Sequence, residues 1–180
     1  MSGVRLSRLP EAAIHALAAG DLATANRLSG FELPASFVEE GGSHVWLMRS
    51  KQIEADPDCA QWITRAIVDT ASGDVVGRAG FHGPPDADGM LEVGYAVDPR
   101  HRRKGYARAA FEVLLAWARA DASTMTLRAT IRPDNAASYN LIAQYPFTRT
   151  GEQWDDIDGR EIIYDMDVRG LALGGSGRRG

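Results

Sequence analysis

Basic side chains are concentrated in one short stretch of a chain that is acidic as a whole. The 180 residues include 20 Lys and Arg against 24 Asp and Glu, which gives a net charge of −4. Five of the basic residues fall between positions 100 and 108, namely Arg100, Arg102, Arg103, Lys104 and Arg108. A local excess of positive charge on an acidic protein predicts a binding site for an anion.

The sequence on either side of this stretch indicates which anion it binds. Residues 90–97 (MLEVGYAV) predict a strand, and residues 105–120 predict an amphipathic helix that begins at Gly105. The first turn of a helix presents main-chain N–H groups and the positive end of the helix dipole to one point. Ala107 is small, so a diphosphate has room on that turn. We therefore expect the loop to bind phosphate groups, the alternative being a solvent-exposed basic turn.

Two common nucleotide-binding motifs do not occur at the basic loop. Residues 97–108 contain neither the Walker pattern Gly-x4-Gly-Lys-[Ser/Thr] nor the Rossmann pattern Gly-x-Gly-x-x-Gly. The basic loop is therefore a different kind of phosphate site.

The elements that position this loop alternate between helices and strands. The predicted helices cover residues 10–19, 22–28, 44–54, 105–120 and 136–144. The predicted strands cover residues 62–68, 75–81, 90–97, 124–131, 147–153 and 160–168. This order predicts an α/β (α+β) fold with a mixed, mostly antiparallel central sheet, a β-α-β crossover in the middle and helices on both faces.

Length and composition predict one globular domain, residues 1–169, followed by a flexible glycine-rich tail, residues 170–180. The single cysteine, Cys59, has no partner for a disulfide or a CxxC motif, and we expect no metal site. No apolar run reaches the roughly 18 residues of a membrane span, and no secretory signal is visible. We therefore expect a cytoplasmic protein without a membrane partner.

Two short motifs carry more specific information. Residues 92–99 (EVGYAVDP) precede residues 102–107 (RRKGYA), and residues 135–138 (NAAS) precede Leu141. The first pair resembles the signature segment of the GNAT superfamily of N-acetyltransferases, whose pyrophosphate loop is [Arg/Gln]-x-x-Gly-x-[Gly/Ala]. The second resembles the family's Asn-x-x-Ser-x-x-Leu motif. The resemblance covers residues 62–168 and is closest to the branch with the ribosomal-protein N-terminal acetyltransferases.

The resemblance implies a binding site for acetyl-CoA as co-substrate. It implies that strands 90–97 and 124–131 splay apart and that the pantetheine arm pairs with main chain at Ala96 and Val97. A main-chain N–H near Val97 would polarise the thioester carbonyl, and Asn135 would hold the pantetheine amides. The resemblance assigns the diphosphate to the loop residues Arg102, Arg103, Lys104, Gly105, Tyr106 and Ala107.

The catalytic residues are less well determined than the loop. We predict Glu92 as the general base, because alternation places it on the same strand face as Gly94 and Ala96. An exposed strand carboxylate in a cross-strand ion pair is the competing interpretation, and His82 and Asp98 are alternative bases.

Ser138 is the predicted donor to the departing thiolate. The chain departs from the family here, because Ile142 stands where many members carry the tyrosine with this role, and Pro146 replaces a glycine. Ser138 and Asn135 also fit the polar first turn of a helix, where Asn is a common cap, and Tyr139 is a weaker alternative donor.

The resemblance implies that the partner is a small-molecule amine or a peptide N-terminus. A non-catalytic acyl-CoA-binding module or sensor is the alternative, since the family's tyrosine is missing. We expect no nucleic-acid partner, because the chain is acidic and Tyr106 is the only aromatic residue within the basic stretch. The sequence leaves the oligomeric state open, a homodimer included.

Overall fold

The computed structural model describes residues 3–39 and 42–170. Within these residues, seven strands form a mixed sheet in the order β1-β2-β3-β4-β5-β7-β6. The strands are β1 Val4–Ser7, β2 Arg65–Asp69, β3 Val75–Phe81, β4 Met90–Val97, β5 Thr126–Ile131, β6 Thr148–Asp155 and β7 Gly159–Asp167. The α-helices in the same part of the chain are α1 Glu11–Ala18, α2 Leu22–Ser29, α3 Gly42–Ala55, α4 Tyr106–Ala120 and α5 Ala136–Ile142.

The sheet confirms the predicted fold class. Strands β4 and β5 are parallel and are connected by α4, which is the expected β-α-β crossover. The pairs β1–β2, β2–β3, β5–β7 and β6–β7 are antiparallel. The predicted tail falls on residues 170–180, of which all but Gly170 lie outside the described residues.

The N-terminal part of the chain differs from the prediction in two places. Strand β1 was not predicted; it pairs with β2 from Val4 opposite Asp69 to Ser7 opposite Ala66. Its four residues are too few to establish a period of two in the sequence. Strand β2 begins at Arg65 rather than at residue 62, because a short 3₁₀ turn, Pro57–Gln61, precedes it.

The chain divides into two compact units. Unit 1 comprises Met1–Pro84 and Gly94–Leu114, and unit 2 comprises Pro85–Val93 and Leu115–Gly180. Strand β4 and helix α4 each contribute residues to both units. We therefore keep the prediction of a single domain.

Each unit has its own buried side chains. Unit 1 buries Phe37 against Trp46, whose ring centroids are 5.2 Å apart, and both side chains are almost completely buried. In unit 2, Leu91 stands beside Leu127 in the strand register, and Leu127 stands beside Met166. All three are buried, and they make one face of these strands apolar. No helix within the described ranges combines the length and the apolar character needed to cross a membrane.

Candidate active site

The segment Arg102–Ala107, which follows β4 and ends in the first turn of α4, is here called the anion loop. Its backbone contains two left-handed turns, at Arg103 with φ 62° and at Gly105 with φ 85°. In the described part of the chain, Arg103 is the one residue other than glycine with a positive φ. Turns of this kind direct successive N–H groups to one side and form concavities that bind anions. Gly105 adopts its conformation at no steric cost, and α4 follows directly.

The basic side chains around the anion loop fall into two groups. Arg102, Arg103 and Lys104 are exposed to solvent, and Arg102 Nε lies 3.3 Å from the Val97 carbonyl oxygen. Arg100, in contrast, forms an ion pair with the buried carboxylate of Asp98, with Nε and Oδ1 2.9 Å apart. Arg102, Arg103 and Lys104 are therefore the exposed cationic side chains of the anion loop itself.

Asp98 supports the loop and is a poor candidate for a base. Burial raises the pKa of Asp98, but hydrogen bonds from Ser36 Oγ and from the Arg100 side chain and main chain outweigh it, so the pKa lies below its usual value. Ser36 Oγ is 2.7 Å from Asp98 Oδ2, and Arg100 N is 3.0 Å from Oδ1. A carboxylate with three donors is held ionised and in place, which favours a structural role.

The side chain of Tyr106 has a function that the sequence did not indicate. Its hydroxyl donates a hydrogen bond of 2.8 Å to Asp69 Oδ2 at the end of β2, and the ring is largely buried. This hydrogen bond raises the pKa of Tyr106. The side chain therefore anchors the start of α4 to the β2–β3 hairpin, and the main chain of Tyr106 is what a phosphate group would meet.

His82 lies against β4 within unit 1. A Cβ atom added at Gly94 would come within 2.9 Å of His82 Nε2, so the imidazole occupies the space that any other residue at 94 would fill. The carbonyl oxygen of His82 accepts hydrogen bonds from Gln52 Nε2 at 2.6 Å and from Arg49 Nη1 at 3.4 Å. The exposed imidazole thus lies against Gly94. This glycine is two residues before Ala96, on the same strand face.

Glu92, the predicted base, lies in unit 2 and is half-buried. Its Oε1 accepts a hydrogen bond of 2.5 Å from Thr130 Oγ1 on β5. In the strand register Glu92 stands beside Arg128, but Arg128 forms a two-point ion pair with Asp165 on β7, at 2.8 and 2.9 Å. Thr150 Oγ1 donates a further hydrogen bond of 2.8 Å to Asp165. A cross-strand ion pair between Arg128 and Asp165 therefore lies next to Glu92.

A second carboxyl group, Glu161, lies on the same face of unit 2. It is buried, and its Oε2 accepts a hydrogen bond of 2.9 Å from Gln153 Nε2. Burial raises the pKa of Glu161, and the negative charges of Asp155, Asp158 and Glu92 add to the effect. We call this set of side chains the carboxylate face; its members are Glu92, Arg128, Thr130, Glu161 and Asp165.

The start of α5 carries the other two predicted residues, also in unit 2. Asn135 caps this helix, since its Oδ1 accepts a hydrogen bond of 3.1 Å from Ser138 N. Asn135 is exposed and Ser138 is half-buried. Ile142 is almost completely buried, so its position belongs to the core of the unit. The capping role is therefore present, while the roles of both residues toward a cofactor stay predictions.

The predicted site residues are thus divided between the two units. Unit 1 contains Ala96, Val97 and the anion loop, while unit 2 contains Glu92, Asn135 and Ser138. Strands β4 and β5 pair from Met90 to Glu92, and their predicted separation beyond that point stays a prediction. In the described part of the chain, no three His, Cys, Asp or Glu side chains converge as ligands for a metal ion.

Sequence reasoning missed Thr130, Asp165 and Glu161. Thr130 is 38 positions from Glu92, and Asp165 is 37 positions from Arg128. The residue types alone gave no signal for these pairs; the register between β4, β5 and β7 would have identified them.

Known proteins resemble this chain over most of its length. The model of the acetyltransferase (GNAT) domain family matches residues 6–148. An uncharacterized N-acetyltransferase of Bacillus subtilis, YjdG, is 36% identical over 86 residues, 48% of this chain and 49% of that protein. The L-2,4-diaminobutyric acid acetyltransferase of Streptomyces anulatus is 31% identical over 106 residues, 58% of this chain and 57% of that protein. The chain therefore spans about half the length of the curated relatives it matches.

Solved structures extend the resemblance in fold. The ribosomal-protein-S5-alanine acetyltransferase of Vibrio fischeri superposes with a TM-score of 0.60 over 91% of each chain, at 20% identity. Ribosomal-protein acetyltransferases are therefore among the structural neighbours, in agreement with the branch that the motifs resemble.

Proposed function

The chain belongs to the GNAT acetyltransferase family, and on that premise we propose that it transfers an acetyl group from acetyl-CoA to a primary amine in a ternary complex. The observation that carries the proposal is the anion loop. Its two left-handed turns at the start of a 15-residue helix, with three exposed cationic side chains, fit a diphosphate.

The acceptor in this proposal is a small-molecule amine or a peptide N-terminus. The Streptomyces relative is named for a small diamino acid, and the Vibrio neighbour is named for the alanine of a ribosomal protein. One name gives a small diamino acid and the other a protein, so both acceptor types stay in the proposal.

The chemistry divides among residues of the chain as follows. The amine nitrogen forms a bond to the acetyl carbon, and the carbon–sulfur bond breaks. A main-chain N–H near Val97 stabilises the negative charge that develops on the carbonyl oxygen, a contribution worth about 100- to 1,000-fold in rate where such donors have been removed.

Proton transfer is the task of the carboxylate face. Glu92, whose Oε1 accepts the hydrogen bond from Thr130, accepts the proton that the amine must lose. Ser138 donates a hydrogen bond to the departing thiolate or protonates it, and in the second case solvent returns a proton to the serine oxygen. Asn135 holds the pantetheine amides and caps α5, and Ala96 and Val97 pair with the pantetheine arm through their main chain.

A charge placed in the first turn of α4 tests the anion loop. Ala107→Glu keeps helix propensity and brings a carboxylate to the diphosphate, so we expect acetyl-CoA to bind at least about tenfold more weakly, or about 1.4 kcal/mol. The control is Ala116→Glu, the same substitution at an exposed position of the same helix, which should bind like the wild type. Calorimetric titration with acetyl-CoA measures both, and equal affinity in the two variants would contradict the proposal.

The second candidate, a non-catalytic acyl-CoA-binding module, is favoured by one observation. The side chain at 142 is a buried isoleucine and supplies no proton to a thiolate. A screen of thiol release from acetyl-CoA against peptide and small-amine panels separates the two functions. Binding of acetyl-CoA without release of thiol toward any amine would support the module.

A further inference from the structure

Strand β3 approaches the end of β4 very closely at Gly77. A Cβ atom added at Gly77 would lie 2.3 Å from the carbonyl oxygen of Ala96, 2.9 Å from Val97 Cα and 3.2 Å from the carbonyl carbon of Ala96. All three atoms belong to the main chain, so no side-chain rotation can relieve such a contact. These residues lie together in unit 1, on neighbouring strands of the sheet. The missing side chain at 77 therefore allows the path that β4 takes at Ala96 and Val97.

The same distances show how the peptide group between Ala96 and Val97 is turned. Its oxygen is closer than its carbon to the Cβ position of Gly77, at 2.3 against 3.2 Å, so the carbonyl is directed toward β3. The peptide bond is trans, and in a trans peptide the C=O and the N–H that follows point in opposite directions. The N–H of Val97 is therefore directed away from β3.

A hydrogen bond of the next residue gives the same direction. The main-chain N–H of Asp98 donates a hydrogen bond of 2.9 Å to the carbonyl oxygen of Val76 on β3. Successive residues of a strand direct their N–H groups to opposite sides, so the N–H of Val97 faces the side away from β3. Within the described residues, β4 pairs with β5 from Met90 to Glu92, all before Val97.

From these contacts we infer that Gly77 is a positioning residue for acetyl transfer: its missing side chain leaves room for the Ala96 carbonyl, and this turns the N–H of Val97 toward the thioester carbonyl of acetyl-CoA. The inference rests on the proposed function, which requires a main-chain donor near Val97, and it identifies the donor as the N–H of Val97 itself. Gly77 touches neither substrate. It acts through the main chain of the neighbouring strand.

Replacing Gly77 with alanine tests the inference, because the single added carbon forces the peptide group between residues 96 and 97 to move. We expect kcat to fall about 10- to 100-fold, which is part of the loss expected when such a donor is removed. Acetyl-CoA should bind about 3- to 10-fold more weakly, since the pantetheine arm loses main-chain hydrogen bonds. The nucleotide part of CoA, adenosine 3′-phosphate 5′-diphosphate, should bind as in the wild type, because it lacks the pantetheine arm. Calorimetric titration measures both affinities, and kcat is measured with the amine of the panel that gives most thiol release.

Gly80→Ala is the matched control on the same strand. A Cβ atom at Gly80 would lie 2.6 Å from Thr64 Cα and 2.7 Å from Thr64 N, again a contact with main chain that cannot rotate away. Both alanine variants should therefore lose thermal stability, but Gly80→Ala should keep the wild-type kcat and both affinities. Equal losses of kcat and of acetyl-CoA affinity in the two variants would mean that strain in β3, rather than the orientation of residue 97, causes them.

A spectroscopic measurement separates positioning from a loss of stability. A hydrogen bond from the N–H of Val97 lowers the stretching frequency of the thioester carbonyl. Infrared spectra of bound acetyl-CoA with a ¹³C label at the acetyl carbonyl should show the lowered frequency in the wild type and in Gly80→Ala. In Gly77→Ala the frequency should return toward that of free acetyl-CoA.

The outcomes distinguish failure of this inference from failure of the proposed function. If Gly77→Ala keeps the wild-type kcat and the lowered frequency, Gly77 has no positioning role and the acetyltransferase function stands. If Gly77→Ala does not fold, the wild type decides: the amide proton resonance of Val97 should shift on addition of acetyl-CoA and not on addition of the nucleotide part alone. No shift, or the same shift with both, would overturn the inference. If the wild-type chain releases no thiol with any amine, the proposed function and this inference are both wrong.

Discussion

The anion loop and the carboxylate face differ in whether main-chain or side-chain groups carry the role proposed for them. In the anion loop the proposed binding groups are main-chain amides at two left-handed turns, and the charged side chains of the loop face solvent. On the carboxylate face the proposed base and its neighbours act through side chains, which are held by partners on neighbouring strands. A main-chain site tolerates changes of side chain, whereas a side-chain site depends on every contact around it.

This difference predicts where substitutions act. Changes to side chains on the carboxylate face should change turnover or stability and leave the affinity for acetyl-CoA intact. Changes to side chains around the anion loop should affect stability, and they should affect affinity only where they bring new charge to the diphosphate.

Loss of the Asp165 carboxylate gives the largest expected effect. Asp165→Asn removes the ion pair with Arg128, and since both side chains are mostly buried, we expect unfolding to become easier by about 1–3 kcal/mol. The released Arg128 can then pair with Glu92, so kcat should fall as well. Denaturant titration and steady-state kinetics measure the two effects.

The pH dependence and a matched pair of residues sharpen this prediction. The hydrogen bond from Arg128 lowers the pKa of Asp165, so its stabilising effect is present above the unfolded value of about 3.9 and is lost as pH falls through the folded pKa. The difference between variant and wild type should therefore disappear in acid. Asp134→Asn breaks an ion pair of similar length, to Arg132, between exposed side chains, and should leave stability unchanged. Equal effects of the two variants would contradict the comparison.

The strand and the helix on either side of the anion loop were predictable because their signals are local. A strand that ends near a proline, a cluster of cations, a glycine and an amphipathic helix follow one another within about 30 residues, and each has a known backbone consequence. The helix and strand assignments succeeded for the same reason, since hydrophobic period is a local property. The positive φ of Arg103 was not predictable, because arginine rarely adopts it.

The carboxylate face was predictable only in part. Period-two alternation predicted the face of β4 on which Glu92 lies. Its partner Thr130 depends on which residue of β5 stands nearby, and a shift of one residue would turn that hydroxyl to the other face. The burial of Glu161 depends on strand β6, which the sequence cannot place beside it without the register.

Removal of the Tyr106 hydroxyl has a smaller expected effect. It tests the prediction that the anion loop tolerates changes of side chain. Tyr106→Phe loses the hydrogen bond to Asp69 and should lower Tm by about 2–4 °C. The affinity for acetyl-CoA should not change, because in our proposal the main chain of residue 106 is the part that meets the diphosphate. Differential scanning calorimetry and a binding titration measure both quantities. A large loss of affinity would show that the anion loop relies on this side chain.

The smallest effect is expected at Glu161, and its sign depends on pH. Because burial raises the pKa of Glu161, its favourable contribution is complete below the unfolded value of about 4.3 and is lost as pH rises through the folded pKa. Glu161→Gln stays neutral, so its stability should match the wild type in acid and exceed it at neutral and alkaline pH. Glu152→Gln is the control of opposite sign, since the hydrogen bond from Arg160 lowers the pKa of Glu152. That variant should lose stability, relative to the wild type, as pH rises. If the free energy of unfolding of Glu161→Gln differs from that of the wild type by the same amount at every pH, this carboxyl is solvated. The carboxylate face would then be open to water at β7.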